Sequence, residues 1–438
     1  PSTVPPPPPA PTLPPASAGT CPAAPPYAAP APDRPVYGVV ASVDVAAGVV
    51  DGTVTVRFTP DLPVDALVVR LWANSPRPAT TGASTTIGPV TDLDRGVALA
   101  TAQPDPTLVD VSLGRVLEAG EDVTVSIPFR VQVGGSVRDR ISHSGDTLRL
   151  GSFIPLLAWE PGVGWAREPP TSAFAEAATL PAADWSLQLA VPPGYDVLAS
   201  GRRGGDGTWR ISGARDVAVS IGHFATVTAV EALPGPVEVT VGVDASVGED
   251  PQAYLQRVVD SLRAHSARFG PYPYESYTLA VTPDLNGGIE FPGHVMQGPG
   301  SIGRTTSHEV AHQWFYALVG NDQGRDPWLD EGLASYAEFR HEATLDAGRA
   351  RTIPAGARGQ VGQPMTYWEG HQDSYYRGVY VQGAVALASL GDVELVDCAL
   401  RLYVATNAFR IARPADLLAA LAVVFPDAAA RLAAYGIA

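Results

Sequence analysis

The pentapeptide His308-Glu309-Val310-Ala311-His312, followed after eighteen residues by Glu331, carries the side chains best suited to chemistry. Residues four apart share one face of a helix, so His308 and His312 can present two imidazoles to one cation. Glu309 sits about 100° round the helix from His308. That suits a base taking a proton from metal-bound water. Glu331 opens a second helical pattern, Glu331-Gly332-Leu333-Ala334-Ser335-Tyr336-Ala337-Glu338. An antiparallel return could bring its carboxylate in as third ligand. Two neutral imidazoles and one carboxylate leave a tetrahedral zinc ion one open position, the arrangement of a hydrolytic site rather than a structural one. The bland alternative is a solvated helix with two surface histidines. With only 8 His, a chance match to H-E-x-x-H is expected on the order of once per hundred such chains.

The elements that must position these residues are bounded by composition. At 438 residues the chain has room for two or three domains with full cores. All 29 basic side chains are Arg, and the formal charge of −16 argues against nucleic acid and against an anionic membrane surface. No run of eighteen apolar residues exists, so no membrane span is expected. The two cysteines, Cys21 and Cys398, form no Cys-x-x-Cys, which excludes thiolate-held zinc. They could pair as a disulfide; a free, buried Cys398 is an equal reading. The chain starts at Pro1 rather than Met. With its Pro-rich leader and acidic, Cys-poor composition, it fits a secreted bacterial protein whose signal has been removed. Association with the cell surface is a lesser option.

Residues 1–35 hold fifteen Pro and read as a disordered leader or extended linker. From residue 36 to about 230, short β-rich runs at 36–45, 53–59, 66–72, 123–133, 185–191 and 217–228 alternate with Gly-bearing turns. They predict an N-terminal antiparallel β-sandwich or saddle over 36–233. Leu233-Pro234-Gly235-Pro236 reads as the boundary to a second domain over 234–438. There a strand at 237–243 precedes a helix at 250–269, whose Tyr254, Leu255, Val258, Val259 and Leu262 recur at helical spacing. A strand at 277–281 follows, then the zinc-motif helix from about 304 to 319. Further helices are predicted at 327–347, 373–390, 393–405, 414–424 and 427–435. The fold class is multidomain α+β.

With these residues in view, the chain resembles the aminopeptidase N and leukotriene hydrolase family of gluzincin metallopeptidases over roughly residues 36–438. The resemblance rests on Asp51-Gly52-Thr53-Val54, Phe269-Gly270-Pro271-Tyr272-Pro273-Tyr274, Gly287-Gly288-Ile289-Glu290-Phe291, the zinc motif with Trp328-Leu329-Asp330-Glu331-Gly332, and Tyr380-Val381-Gln382-Gly383-Ala384. It implies a thermolysin-like, mainly helical zinc peptidase domain after the β domain. One zinc ion would be held by His308, His312 and Glu331, with Glu309 as general base. Tyr380 would donate to the tetrahedral oxyanion, with Tyr375 and Tyr376 in a similar pattern one turn earlier. Glu290 would bind the free α-amine of a peptide, and Gly287 and Gly288 would let the strand pair with it. Glu176, in Phe174-Ala175-Glu176-Ala177, would be a second amine-binding carboxylate.

Four positions depart from the family pattern: Ile289 stands for Met, Phe291 for Asn, Gln382 for Lys and Asp330 for Asn. Asp330 could orient a ligand or cap its helix. The chain runs 107 residues past Glu331 (438 − 331), so the family's helical-repeat cap falls outside it and a more open cleft is implied. The implied activity is release of N-terminal residues from peptides. The alternatives are an endopeptidase with the same zinc chemistry, or a catalytically silent binding protein on this fold.

Overall fold

Alternating apolar and polar residues drive the first half of the chain into sheets. Along Val123–Gln132, the side chains of Val123, Val125, Ile127, Phe129 and Val131 are buried and those between them are more open. This is the period of a strand with one face on a core. The computed structural model describes residues 11–135, 139–172 and 179–437. The largest sheet has nine strands, with Val36–Asp44, Val49–Phe58 and Val123–Gln132 antiparallel through its middle. Val36–Asp44 also pairs in parallel with Ala183–Ala190, against the antiparallel expectation. The long stretch between those strands gives room for the crossover that a parallel pair needs. Two four-stranded sheets and the two-stranded pair Trp159–Glu160 with Gly164–Trp165 also lie in this half.

The second half is built on a five-stranded mixed sheet. Its order is Phe224–Ala232, Pro236–Asp244, Ser276–Val281, His294–Gln297, Gly288–Phe291, which leaves Gly288–Phe291 at an edge. The first two strands form one continuous hairpin, from Phe224 opposite Asp244 to Ala232 opposite Pro236. Residues 233–235 are therefore a hairpin turn and not the domain seam expected there. Pro and Gly mark a change of chain direction in either case; only the pairing tells them apart.

The helix Pro251–Phe269 starts at Asp250, whose side chain accepts from Gln252 N, and it buries the periodic apolar residues. The zinc-motif helix is Arg304–Ala311, shorter than the expected 304–319. Beyond it the chain leaves in wide turns: Ala317 N bonds His312 O at 2.9 Å, and Tyr316 takes φ 127°. The helix expected at 327–347 breaks at Ala343 (φ 54°) into Trp328–His341 and Leu345–Arg349. Within 373–390, a π-helical stretch, Tyr376–Val381, joins Gln372–Tyr375 to Gln382–Ala388.

Residues 11–35 are a strap rather than a disordered leader. Ser17 N and Gly19 N donate to the carbonyls of Val423 and Val424, and Cys21 is disulfide-bonded to Cys398. Tyr27 Oη donates to Pro271 O at 3.1 Å, and Arg34 Nε to Asp184 Oδ1 at 2.8 Å. The Pro tract forms no ladder of its own, and all its anchors are remote in sequence, so composition alone could not reveal them.

The turn after the zinc-motif helix is pinned by a residue of the β half. Arg215 is 3% exposed and donates to four backbone carbonyls: Leu180 at 2.9 Å, Tyr316 at 3.0 Å, Leu318 at 3.3 Å and Arg410. Burial pushes its pKa down to about 10, so it keeps its charge at neutral pH. A Cβ on Gly320 would lie 2.2 Å from Arg215 Cζ, so only glycine fits there. Arg215→Met takes a donor from all four carbonyls, of which Leu318 O keeps Phe409 N and Arg410 O keeps Gly320 N. It is expected to lower stability by about 3–5 kcal/mol, read as a lower urea midpoint; an unchanged midpoint would remove Arg215 from this role.

Candidate active site

The zinc motif and the helix Trp328–His341 bring three ligand atoms together. His308 Nε2 lies 3.2 Å from Glu331 Oε2, His312 Nε2 lies 3.1 Å from His308 Nε2, and His312 Nε2 lies 3.4 Å from Glu331 Oε2. Tetrahedral zinc with bonds near 2.0–2.2 Å would space its ligands by about 3.3–3.5 Å. Of the outer ring nitrogens, that of His312 is hydrogen-bonded and that of His308 has only a nearby carboxylate. His312 Nδ1 donates to Phe315 O at 3.0 Å, and His308 Nδ1 stands 3.3 Å from Glu338 Oε2. Both Nε2 lone pairs therefore point at the Glu331 carboxylate and at each other. Three electron-pair donors on one point suit a cation, and the residues fit zinc.

The electrostatics agree. Burial alone would lower His312, but the Glu290 and Glu331 carboxylates outweigh it and raise its pKa to about 9. His308 is likewise raised well above its ordinary value, by Glu331 and Glu338 against burial. Burial would raise Glu331, yet the two imidazoles hold it below the usual carboxylate range. Glu309 is raised to about 8, first by burial, and its Oε2 is buried without a hydrogen-bond partner among the described residues.

Close backbone approaches set the positions. A Cβ on Gly383 would lie 3.0 Å from the Cα of Gly332, so the helices Trp328–His341 and Gln382–Ala388 cross at these two glycines. That crossing brings Tyr380, at the end of the π-helical stretch, onto Glu331. Its Oη donates to Glu331 Oε1 at 2.5 Å, and its ring stacks on His308 with centroids 5.6 Å apart. Of the three neighbouring tyrosines, Tyr376 instead bonds Arg304, and the buried Tyr375 Oη has no partner among the described residues. A Cβ on Gly288 would lie 2.5 Å from the Glu309 carboxyl carbon, so glycine lets the edge strand reach the base. Gln313 fixes that strand end, donating to Phe291 O at 3.0 Å and accepting from Gly293 N at 2.9 Å.

Along Gly288–Phe291 the side chains alternate. Glu290 faces the cleft, while Ile289 and Phe291 pack with Ala218, Leu285 and Met296. The Phe291 departure therefore lies on the core side, away from Glu290. Gln382, the departure from Lys, is also structural: it donates to Ala357 O at 2.7 Å and accepts from Gly359 N at 2.9 Å. Asp330 is buried and accepts from Gln323 Nε2 at 2.8 Å and from Glu331 N at 2.8 Å. Gln323 Nε2 in turn lies 3.5 Å from Glu290 Oε1. Burial, then the Glu331 charge, raises Asp330 to about 8. Glu176 lies outside the described residues. Gln323, Glu338 and the Gly332–Gly383 pair were not singled out from sequence. Glu338 had a signal, since it falls seven residues, or two turns, after Glu331 on the same helix face; Gln323 had none.

Gly287, Gly288, Glu290, the ligands, Glu309 and Tyr380 line one cleft of about 290 Å³. Gly288→Ala is expected to cut peptide hydrolysis by roughly 10²-fold, as a 1 Å misplacement does, while the zinc content of the purified protein stays at the wild-type level. Wild-type activity in the variant would show that Glu309 needs no such approach.

Residues 296–361, which hold the zinc motif and Glu331, match the Peptidase family M1 domain. Aminopeptidase B of Mus musculus is 26% identical over 193 residues, 40% of this chain and 29% of that protein. Leukotriene A-4 hydrolase of Xenopus laevis is 32% identical over 94 residues, 20% of this chain and 15% of that protein. The chain thus spans under a third of the length of these curated relatives. An M1 zinc metallopeptidase of Deinococcus radiodurans, solved with the substrate Tyr-Ser-Ala, matches with a TM-score of 0.70 at 20% identity, over 93% of this chain and 94% of that one. At that identity the likeness is one of fold. The chain thus carries the zinc-motif segment of the M1 peptidase family on the fold of an M1 zinc metallopeptidase.

Proposed function

We propose that this protein is a zinc-dependent aminopeptidase that releases residues from the free N-terminal end of peptides. The position of Glu290 carries the reading: ligand atoms of Glu290, Glu309 and His312 all lie within 4.8 Å of one another. A carboxylate this close to the ligand set is where a cationic terminus would be held during cleavage of the adjoining bond. Gln323, itself fixed by Asp330, steadies that anchor. The edge strand Gly288–Phe291 offers backbone groups to an extended peptide. The match to the peptidase domain and the peptide named for the Deinococcus structure support the same class of substrate.

His308, His312 and Glu331 would hold a zinc ion, which would supply Lewis acidity and lower the pKa of the attacking water. Glu309 takes the proton of that water and returns it to the leaving amine. The Tyr380 hydroxyl, a neutral donor because burial raises its pKa far above 10, stabilises the developing oxyanion. A single ion suffices. His312 spends Nδ1 on Phe315 O, so the two candidate ligand groups that share His312, one with His308 and Glu331 and one with Glu290 and Glu309, compete for one lone pair. The Cys21–Cys398 disulfide supports export to an oxidising compartment.

The test compares one peptide in free and N-acetylated forms, with zinc-loaded protein and Glu309→Gln as control. Cleavage of the free form alone, lost in the control, is the expected outcome. Equal cleavage of both forms would sink the amine-anchor role of Glu290 and leave an endopeptidase. Separately, Tyr380→Phe is expected to lower kcat by about 10²–10³ with KM little changed, as for an oxyanion donor. A change confined to KM would mean that the hydroxyl serves binding instead.

A further inference from the structure

One face of the zinc-motif helix carries more than its two histidines. Arg304, His308 and His312 recur every four residues, so they line one face over about 12 Å of axis. All three border the same cleft as Glu290 and Tyr376. Glu290 lies beside His312, at the opposite end of that row from Arg304. The cleft thus has an anion at one end and a cation at the other, with the ligand triangle between.

Arg304 is oriented but not used up. Its Nε donates to Glu338 Oε1 at 2.6 Å and an Nη donates to Tyr376 Oη at 2.5 Å. A guanidinium has five N–H groups, so most remain available, and the side chain is 45% exposed. Glu338 offsets its charge, but a second guanidinium stands nearby. Arg304 and Arg351 lie 6.0 and 5.9 Å from the ring centre of Tyr376. Among the described residues, Arg351 forms no ion pair. In a chain with 45 acidic side chains against 29 basic, this leaves uncompensated positive charge at one end of an acidic site.

We infer that Arg304, backed by Arg351, binds a substrate carboxylate on the leaving-group side of the scissile bond, which favours short peptides whose free C-terminus falls there. The inference rests on the aminopeptidase reading. Arg304 is one helical turn, about 6 Å, beyond His308, and an extended peptide advances about 3.3–3.6 Å per residue. The reach is therefore one to two residues past the cleaved bond, as in a di- or tripeptide. An acidic side chain at the same place would offer the same chemistry.

The experiment measures kcat/KM of zinc-loaded protein on Ala-Ala-Ala, its C-terminal amide, and Ala-Asp-Ala amide. The amide is expected to be at least about tenfold poorer, mainly through KM, the loss of one charge-assisted contact. Rescue by the Asp-bearing amide would assign the site to carboxylates in general; no rescue would assign it to the C-terminus. Arg304→Gln should bring the free acid down to the amide, with Arg304→Lys between. Arg351→Gln, remote from the ligands, should lower the acid-to-amide ratio about two- to threefold. Equal cleavage of acid and amide by the wild type would overturn the inference. So would an equal loss on both substrates in the two Arg304 variants, which would make Arg304 a positioning residue for Glu338. No cleavage of any peptide by the zinc-loaded wild type would sink the aminopeptidase reading, and this one with it.

Discussion

Three electron-pair donors held 3.1–3.4 Å apart, all aimed at one point, are the constraint on which the rest of this structure depends. Two imidazole lone pairs and a carboxylate repel one another in a buried space unless positive charge sits between them. The raised pKa values of both histidines and the depressed Glu331 express that demand. Each ligand is then fixed by something outside the triangle: His312 by Phe315 O, His308 by Glu338, and Glu331 by the Tyr380 hydroxyl.

Holding that triangle requires the two halves of the chain to act together. A continuous hydrophobic core runs from the β sheets into the helices, so the halves share packing. Arg215 adds a specific tie by reaching from the β half to the carbonyls of the turn after His312. That turn carries Phe315, the acceptor for His312 Nδ1. A buried arginine without a carboxylate partner is costly unless its N–H groups are satisfied, and here backbone carbonyls do so. The strap over residues 11–35 adds a covalent tie through Cys21 and Cys398.

Small residues do what large ones cannot at the crossing points. Gly332 and Gly383 let two helices meet closely enough for Tyr380 to touch Glu331. Gly288 lets the edge strand run against Glu309, and the alternation of that strand then puts Glu290 into the cleft and Phe291 into the core. The same alternation explains why an aromatic at position 291 leaves the cleft face untouched.

The sequence by itself determined the chemistry and its local geometry. The four-residue spacing of His308 and His312 follows from helical periodicity, the β-rich first half from period-2 alternation, and the helix at 251–269 from its apolar spacing. These are short-range properties, carried by neighbours along the chain. Only the tertiary structure decided what depends on contacts between remote residues. It turned the expected seam near residue 233 into a hairpin, because strand pairing is set by a partner and not by the turn between. It ended the zinc-motif helix at Ala311, in a turn whose carbonyls Arg215, almost a hundred residues earlier, binds. It made an ordered strap of a Pro-rich leader whose anchors lie up to 406 residues away (423 − 17). It also brought in Gln323, which no pattern along the chain encodes, and gave Glu338 and Arg304, which share helix faces with the ligands, the partners they touch across the fold.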